Sequence, residues 1–130
     1  HYTITMDALR AGKHVMCEKP ITVNYQLSNE MAEEAKKHGP FDFIFIDADK
    51  QSYPEYLELC LNLSHSGTVI FLDNVIRAGA LLDSNNKKPS IEGLRDMFSL
   101  MQNHPKILSC TALQTVGSKG HDGFALAIVK

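Results

Sequence analysis

FDFIFIDADK (41–50) and GTVIFLDN (67–74) decide how this chain folds. Each is a nearly continuous apolar run that stops abruptly at carboxylates or an amide. A strand with one face in water alternates apolar and polar residues. An unbroken apolar run instead suits a parallel strand covered on both faces. Between the two runs, Ser52 and Glu55 stand at capping-box spacing. Tyr53, Tyr56, Leu57, Cys60 and Leu61 then recur at the spacing of one helix face. Residues 41–74 therefore read as strand, helix, strand, the unit from which parallel sheets are built.

Toward the C-terminus, residues 77–88 form a polar loop, and Ile91, Leu94, Phe98 and Met101 mark a further helix. The runs ILSCTALQTV (107–116) and FALAIVK (124–130) flank GSKGHDG (117–123), which reads as a connecting turn. So short a connection makes the last two strands antiparallel. Toward the N-terminus, Tyr2, Met6 and Leu9 predict a helix over 2–11 that stops at Gly12. KHVMCEK (13–19) predicts a strand. Thr22 is the expected cap of a helix with Val23, Leu27, Met31 and Ala35 on one face, ending at Gly39-Pro40. The alternation predicts an α/β three-layer sandwich: a mainly parallel sheet with a C-terminal antiparallel strand pair, in a single domain over 1–130.

The bulk chemistry narrows the function classes. Thirteen basic and fifteen acidic residues give a formal net charge of −2. That leaves no electrostatic footprint for nucleic acid or an anionic membrane, and neither is expected as a partner. No apolar run reaches the roughly 20 residues a membrane span needs. Cys17, Cys60 and Cys110 are odd in number and form no CxxC pair, so they read as reduced thiols of a soluble, cytoplasmic-type protein. Asn62-Leu63-Ser64 has the form of a glycosylation sequon, but nothing else in the sequence points to secretion. Exposed apolar surface, if any is left, would favour a homodimer.

In open α/β sheets, ligands bind beyond the carboxyl ends of the strands. Three expected strands end in polar groups: Glu18-Lys19, Asp47-Ala48-Asp49-Lys50 and Asp73-Asn74. Connections of one hand bring such ends to one rim. Asp47, Asp73 and Asn74 offer oxygen ligands only, a set suited to a hard cation such as Mg²⁺ or Ca²⁺. Lys50 follows closely, and beside a cation its ammonium form is disfavoured, which suits a general base. On spacing alone the plainer reading is that these Asp and Asn residues cap the loops and helices after each strand. No GxGxxG or GxxxxGK[ST] occurs, and Gly117, Gly120 and Gly123 lie between two strands rather than at a helix start. The six histidines are scattered singly.

HYTITMDALRAGKHVMCEKPITVNYQLSNEMAEEAKKHG (1–39) resembles the middle of the Gfo/Idh/MocA family of NAD(P)-dependent oxidoreductases. Glu18, Lys19 and Pro20 match its EKP motif, whose lysine lies near cofactor and substrate. The resemblance implies vestigial cofactor-binding positions at Glu18, Lys19 and Pro20, and a vestigial catalytic Lys19. From Pro40 onward, FDFIFIDADKQSYPEY, GTVIFLDNVIRAG and LQTVGSKGHDGFALAIVK resemble the C-terminal half of a cation-dependent class I O-methyltransferase of the catechol/caffeoyl-CoA type. That likeness implies a Rossmann-like fold, S-adenosylmethionine, a divalent metal on Asp47, Asp73 and Asn74, and a catalytic Lys50. It raises these ligands above the capping reading.

Two resemblances meeting near 39–41 imply an engineered chimera of two Rossmann-like families, without native activity. The glycine-rich loop of either family is absent. No cofactor is then required, S-adenosylmethionine and NAD(P) are not expected to bind, and residual Mg²⁺ or Ca²⁺ is the ligand to look for. The alternatives are a remnant O-methyltransferase that keeps metal or ligand binding, and an oxidoreductase fragment.

Overall fold

The computed structural model describes residues 1–118 and 120–130. The chain divides into two compact units, His1–Pro40 and Phe41–Lys130.

The first unit is a pair of helices. Helix α1 (Tyr2–Arg10) buries Thr5, Met6 and Leu9. It ends as the sequence predicts: the Gly12 amide donates to the Leu9 carbonyl and the Lys13 amide to the Ala8 carbonyl, the paired bonds of a Schellman cap. Helix α2 (Tyr25–Lys36) buries Met31. Its cap is Asn24 rather than Thr22. The Asn24 side-chain oxygen accepts from the Leu27 amide at 3.0 Å, while the Thr22 hydroxyl donates to the Asn24 carbonyl at 2.7 Å. Asn24 sits where its amide oxygen meets an orphan N–H of the first turn, and Thr22 lies two residues too early. The Tyr2 hydroxyl donates to Glu30 at 2.5 Å and joins the two helices.

The strand expected over 13–19 does not form. Residues 13–18 carry no regular structure, and all four strands of the sheet come from residue 41 onward. An apolar run becomes a strand only where a neighbour takes up its backbone hydrogen bonds.

The second unit holds the sheet: β1 (Phe41–Ile46), α3 (Tyr53–Asn62), β2 (Ser64–Asp73), α4 (Pro89–Asn103), β3 (Ile107–Gly117) and β4 (Gly120–Val129). The strand order is β1-β2-β4-β3. The β1–β2 pair is parallel, and β4 lies antiparallel to both β2 and β3. The α/β, Rossmann-like class and the C-terminal antiparallel pair hold, and the four-stranded sheet as a whole is mixed. The capping box expected at Ser52 and Glu55 is not made. Asp49 caps instead, its carboxylate accepting from the Ser52 amide at 3.1 Å.

One sheet face is packed. Ile46, Ile70, Leu72, Ala125, Ala127 and Val129 meet Tyr53, Leu57 and Leu61 of α3 and Ile91, Leu94, Met97 and Met101 of α4. Alanines at the centre of β4 leave room for the helices to approach. The opposite face carries Phe45, Phe71 and Phe124 in a row, with ring centroids 5.3 and 4.6 Å apart. Phe43 and Phe45 stay 57% and 41% exposed, so β1 is not covered on both faces as its composition predicts. In this unit β1 is an edge strand, with helices packed on one side of the sheet. Gly93 of α4 sits against the turn after β1. A Cβ there would meet the Gln51 and Lys50 carbonyl oxygens at 2.5 and 2.6 Å, so only glycine lets α4 approach.

Candidate active site at the β1–β2 rim

The parallel register pairs Ile46 with Leu72, so Asp47 and Asp73 are the next residues on neighbouring strands at their carboxyl ends. Their proximity follows from two apolar runs of matched length, each closed by an aspartate. Asp47, Asp73, Asn74 and Lys50 thus share one rim of the sheet. Glu18, Lys19 and Pro20 belong to the other unit, in chain without regular strand or helix. The third strand end expected on the rim does not exist.

Lys50 is 8% exposed, an unusual burial for an ammonium group. Its Nζ donates to the Tyr53 hydroxyl at 2.5 Å and to the Ala48 carbonyl at 3.0 Å, and lies 3.4 Å from Asp47 Oδ1. It also sits 4.4 Å over the Tyr53 ring. Buried charge is tolerated when it is paired and hydrogen-bonded, and these partners meet that condition. Tyr53 is fully buried. Its hydroxyl has one proton to share between the Ile46 carbonyl at 3.1 Å and the Asp73 carbonyl at 2.9 Å. One phenol oxygen therefore links the ends of β1 and β2 to Lys50. Burial drives the Tyr53 phenol well above its ordinary range, and the nearby Asp47, Asp73 and Asp49 carboxylates add to the rise. The group stays protonated and neutral.

Asp49 forms a second layer. Its carboxylate accepts from the Tyr56 hydroxyl at 2.6 Å and caps Ser52. The Tyr56 bond first, and the Ser52 bonds next, hold the Asp49 carboxyl below the usual aspartate range.

The chain after β2 takes an unusual course. Asn74, Arg77 and Ala78 have φ of 55°, 54° and 55°, in the left-handed region. Each such residue other than glycine costs about 1 kcal/mol or more, asparagine least. Asp73 Oδ1 accepts from the Asn74 amide at 2.8 Å. An open depression of about 520 Å³ adjoins this turn, lined by Asn74, Arg77, Thr115, Ser118 and Asp122 among others. Further on, Arg95 of α4 holds the polar loop by donating to the Leu81, Asn86 and Asp83 carbonyls.

Among the described residues, no group of three or more His, Cys, Asp or Glu side chains is placed to hold a metal. The rim set has two carboxylates and one amide. Its oxygen-only chemistry fits a hard cation and no softer one. The sequence places Asp49 at a strand end without giving it a role, it gives no sign of Asp122, and Tyr53 and Tyr56 read as core by helical spacing. For Tyr53 a signal was available: a phenol three residues after a lysine at a strand end can reach back to it over one helical turn.

A family model described as O-methyltransferase matches residues 10–127. A catechol O-methyltransferase of Niastella koreensis is 52% identical over 127 residues, covering 98% of this chain and 54% of that protein. One from Mycobacterium tuberculosis is 46% identical over 92 residues, 71% of this chain and 41% of its own length. Among solved structures, the O-methyltransferase of Bacillus cereus in complex with SAH matches with a TM-score of 0.72 at 50% identity, covering 82% of this chain and 48% of that one. An O-methyltransferase of tomaymycin synthesis from Streptomyces achromogenes, in complex with SAM, matches with a TM-score of 0.67 at 32% identity, covering 96% and 46%. The chain spans about half the length of the curated relatives it matches.

These findings correct the chimera reading. A single relative runs along 98% of the chain and the family match begins at residue 10, so no join near 39–41 is called for and no oxidoreductase segment is supported. The EKP wording of Glu18-Lys19-Pro20 matched a short string without the strand that would give it a rim to stand on. From residue 10 through the β1–β2 rim to β4, the chain belongs to the O-methyltransferase family, of the catechol and caffeoyl-CoA type.

Proposed function

We propose that this chain carries the catalytic rim of a cation-dependent O-methyltransferase that acts on a catechol-type hydroxyl. The observation that carries the reading is Lys50: a buried lysine held by Asp47 and Tyr53 at the carboxyl ends of two parallel strands, beside Asp73 and Asn74. Asp47, Asp73 and Asn74 would hold Mg²⁺ or Ca²⁺ through oxygen. Such a cation supplies Lewis acidity and a template for the acceptor oxygens. With a cation on the rim the ammonium form of Lys50 is disfavoured, so the neutral amine would receive the hydroxyl proton at Nζ and Asp47 would balance the charge that results. Tyr53 keeps Nζ pointed at the rim and excludes water behind it.

The expectation that S-adenosylmethionine does not bind is reversed here. It rested on a glycine loop missing from this sequence, and a stretch about half as long as its relatives gives that absence no weight. Relatives of 50% and 32% identity were solved with SAH and SAM, which supports S-adenosylmethionine as the methyl donor. NAD(P) has no support left. Transfer would require the methyl group to be held in line with the acceptor oxygen, the positioning that makes such reactions fast.

The test is thermal unfolding with and without Mg²⁺, joined to an assay of methylated catechol. A ligand that binds only the native state raises the melting temperature. Mg²⁺ is expected to raise it, and Asp73→Ala to abolish the rise. Product is expected to vanish with a chelator and to fall by about 100-fold or more in Lys50→Ala. Product that persists without any divalent cation would sink the cation-dependent reading. The aromatic face of Phe43, Phe45 and Phe71 supports a homodimer as a further proposal.

A further inference from the structure

We infer that Asp122 is a positioning residue for the rim: it sets the course of the chain after β2 and so aims Asn74. The inference rests on the cation site proposed above. Asp122 Oδ1 accepts from the Ile76 amide at 3.1 Å, the Arg77 amide at 2.9 Å and the Gly123 amide at 3.0 Å. The Ile76 bond reaches 46 residues along the chain. One residue on, the Gly123 carbonyl accepts from the Val75 amide at 3.0 Å. The amides of residues 75, 76 and 77 are thus all received by residues 122 and 123, at the start of β4.

The fit is close. A Cβ on Gly123 would lie 2.3 Å from the Leu113 carbonyl oxygen and 2.5 Å from Ile76 Cγ1, so this end of β4 admits no side chain there. Val75 is fully buried. Asp73 is the last residue of β2 and stays in the ladder opposite Phe124. Asn74 is the first residue released from the ladder, and its left-handed φ is held in place from the next residues on. A carboxylate oxygen receiving several backbone amides forms charge-assisted bonds, stronger than neutral ones. The Arg77 guanidinium lies 4.0 Å from the other Asp122 oxygen and adds to the same clamp. Asp122 does not need to touch substrate or cation. It acts through the backbone that presents Asn74, as outer partners of metal ligands do.

The experiment compares the full chain with Asp122→Ala and Asp122→Asn, reading amide exchange at Ile76 and Arg77 and Mn²⁺ affinity by titration. Asp122→Ala is expected to speed exchange at both amides and to weaken Mn²⁺ binding about 10-fold or more. Asp122→Asn keeps a side-chain oxygen and is expected to restore both readouts to within about 3-fold of the starting protein. If Asp122→Ala does not fold, Asp122→Glu shifts the carboxylate by one methylene and is expected to show the same two losses. Unchanged exchange would overturn the clamp. Faster exchange with unchanged Mn²⁺ affinity would overturn the positioning role, as would an asparagine variant as impaired as alanine. If the unmodified chain bound no Mn²⁺, the cation site itself would fail and the positioning role with it, while the exchange data would still report on the clamp alone.

Discussion

The loop after β1 and the loop after α1 both carry a lysine beside a carboxylate, yet they are built differently. At the first, Lys50 is buried and each neighbour supports the structure. Tyr53 spans two strand ends, Asp49 caps the turn, and Gly93 admits α4 against the backbone of Lys50 and Gln51. At the second, residues 13–20 run mostly exposed, Met16 is 84% exposed, and the Glu18 carboxylate accepts from the adjacent Lys19 amide at 3.3 Å. A string of residues becomes a site when strands and helices surround it. The difference between the two loops lies in their surroundings more than in their residue types.

The sharpest way to break this comparison is to remove one atom from the rim. Tyr53→Phe keeps the ring and its packing but deletes the oxygen that receives Lys50 and reaches the Ile46 and Asp73 carbonyls. Leaving a buried charged donor short of an acceptor costs about 2 kcal/mol. For a domain of this size that lowers the melting temperature by roughly 5–10 °C. On the catalytic role proposed for Lys50, methyl transfer should fall in kcat with little change in KM for the acceptor, because Nζ is displaced while the acceptor's surroundings remain. A melting temperature within about 1 °C of the unmodified chain would show that the rim is no more tightly built than the exposed loop.

Much of the rim was legible in the sequence. An apolar run ending in IDADK and another ending in FLDN placed Asp47, Lys50, Asp73 and Asn74 together, because register and strand length are encoded locally. What was not legible depends on distant chain. Asp122 lay in a stretch that read as a hairpin turn, and its partners at Ile76 and Arg77 are reached only after β4 folds back along β2. KHVMCEK forms no strand for a related reason: its composition suits one, but a strand exists only with a neighbour. The exposed aromatic face of β1 follows the same rule, since an apolar run states a preference for cover without supplying it.

A smaller effect tests the second layer of the rim through pH. The Tyr56 hydroxyl holds the Asp49 carboxyl below its ordinary range. A group with a depressed folded-state pKa contributes its full stability above the unfolded value, about 3.9 for aspartate, and loses it as pH falls through the lower folded value. Tyr56→Phe should therefore cost about 1 kcal/mol at neutral pH, after allowance for solvent screening at this largely exposed carboxylate. The gap to the unmodified chain should narrow as pH falls below the unfolded aspartate value and close once pH has passed the depressed folded one. Melting curves from pH 7 to pH 2 check it. A gap that stays constant through the acid range would mean that the Tyr56 ring, rather than its bond to Asp49, accounts for the loss.

The smallest effect belongs to the other loop. Glu18→Gln changes one charge in the segment that matched an oxidoreductase motif in wording, and the side chain is exposed. Surface substitutions away from caps, cores and buried networks stay within about 0.5 kcal/mol. The melting temperature and any methyl transfer should therefore be unchanged within error. A loss approaching that of Tyr53→Phe would place residues 13–20 inside a built environment. Surroundings would then not separate the two loops, and the EKP wording would have to be explained by something other than chance similarity over a short string.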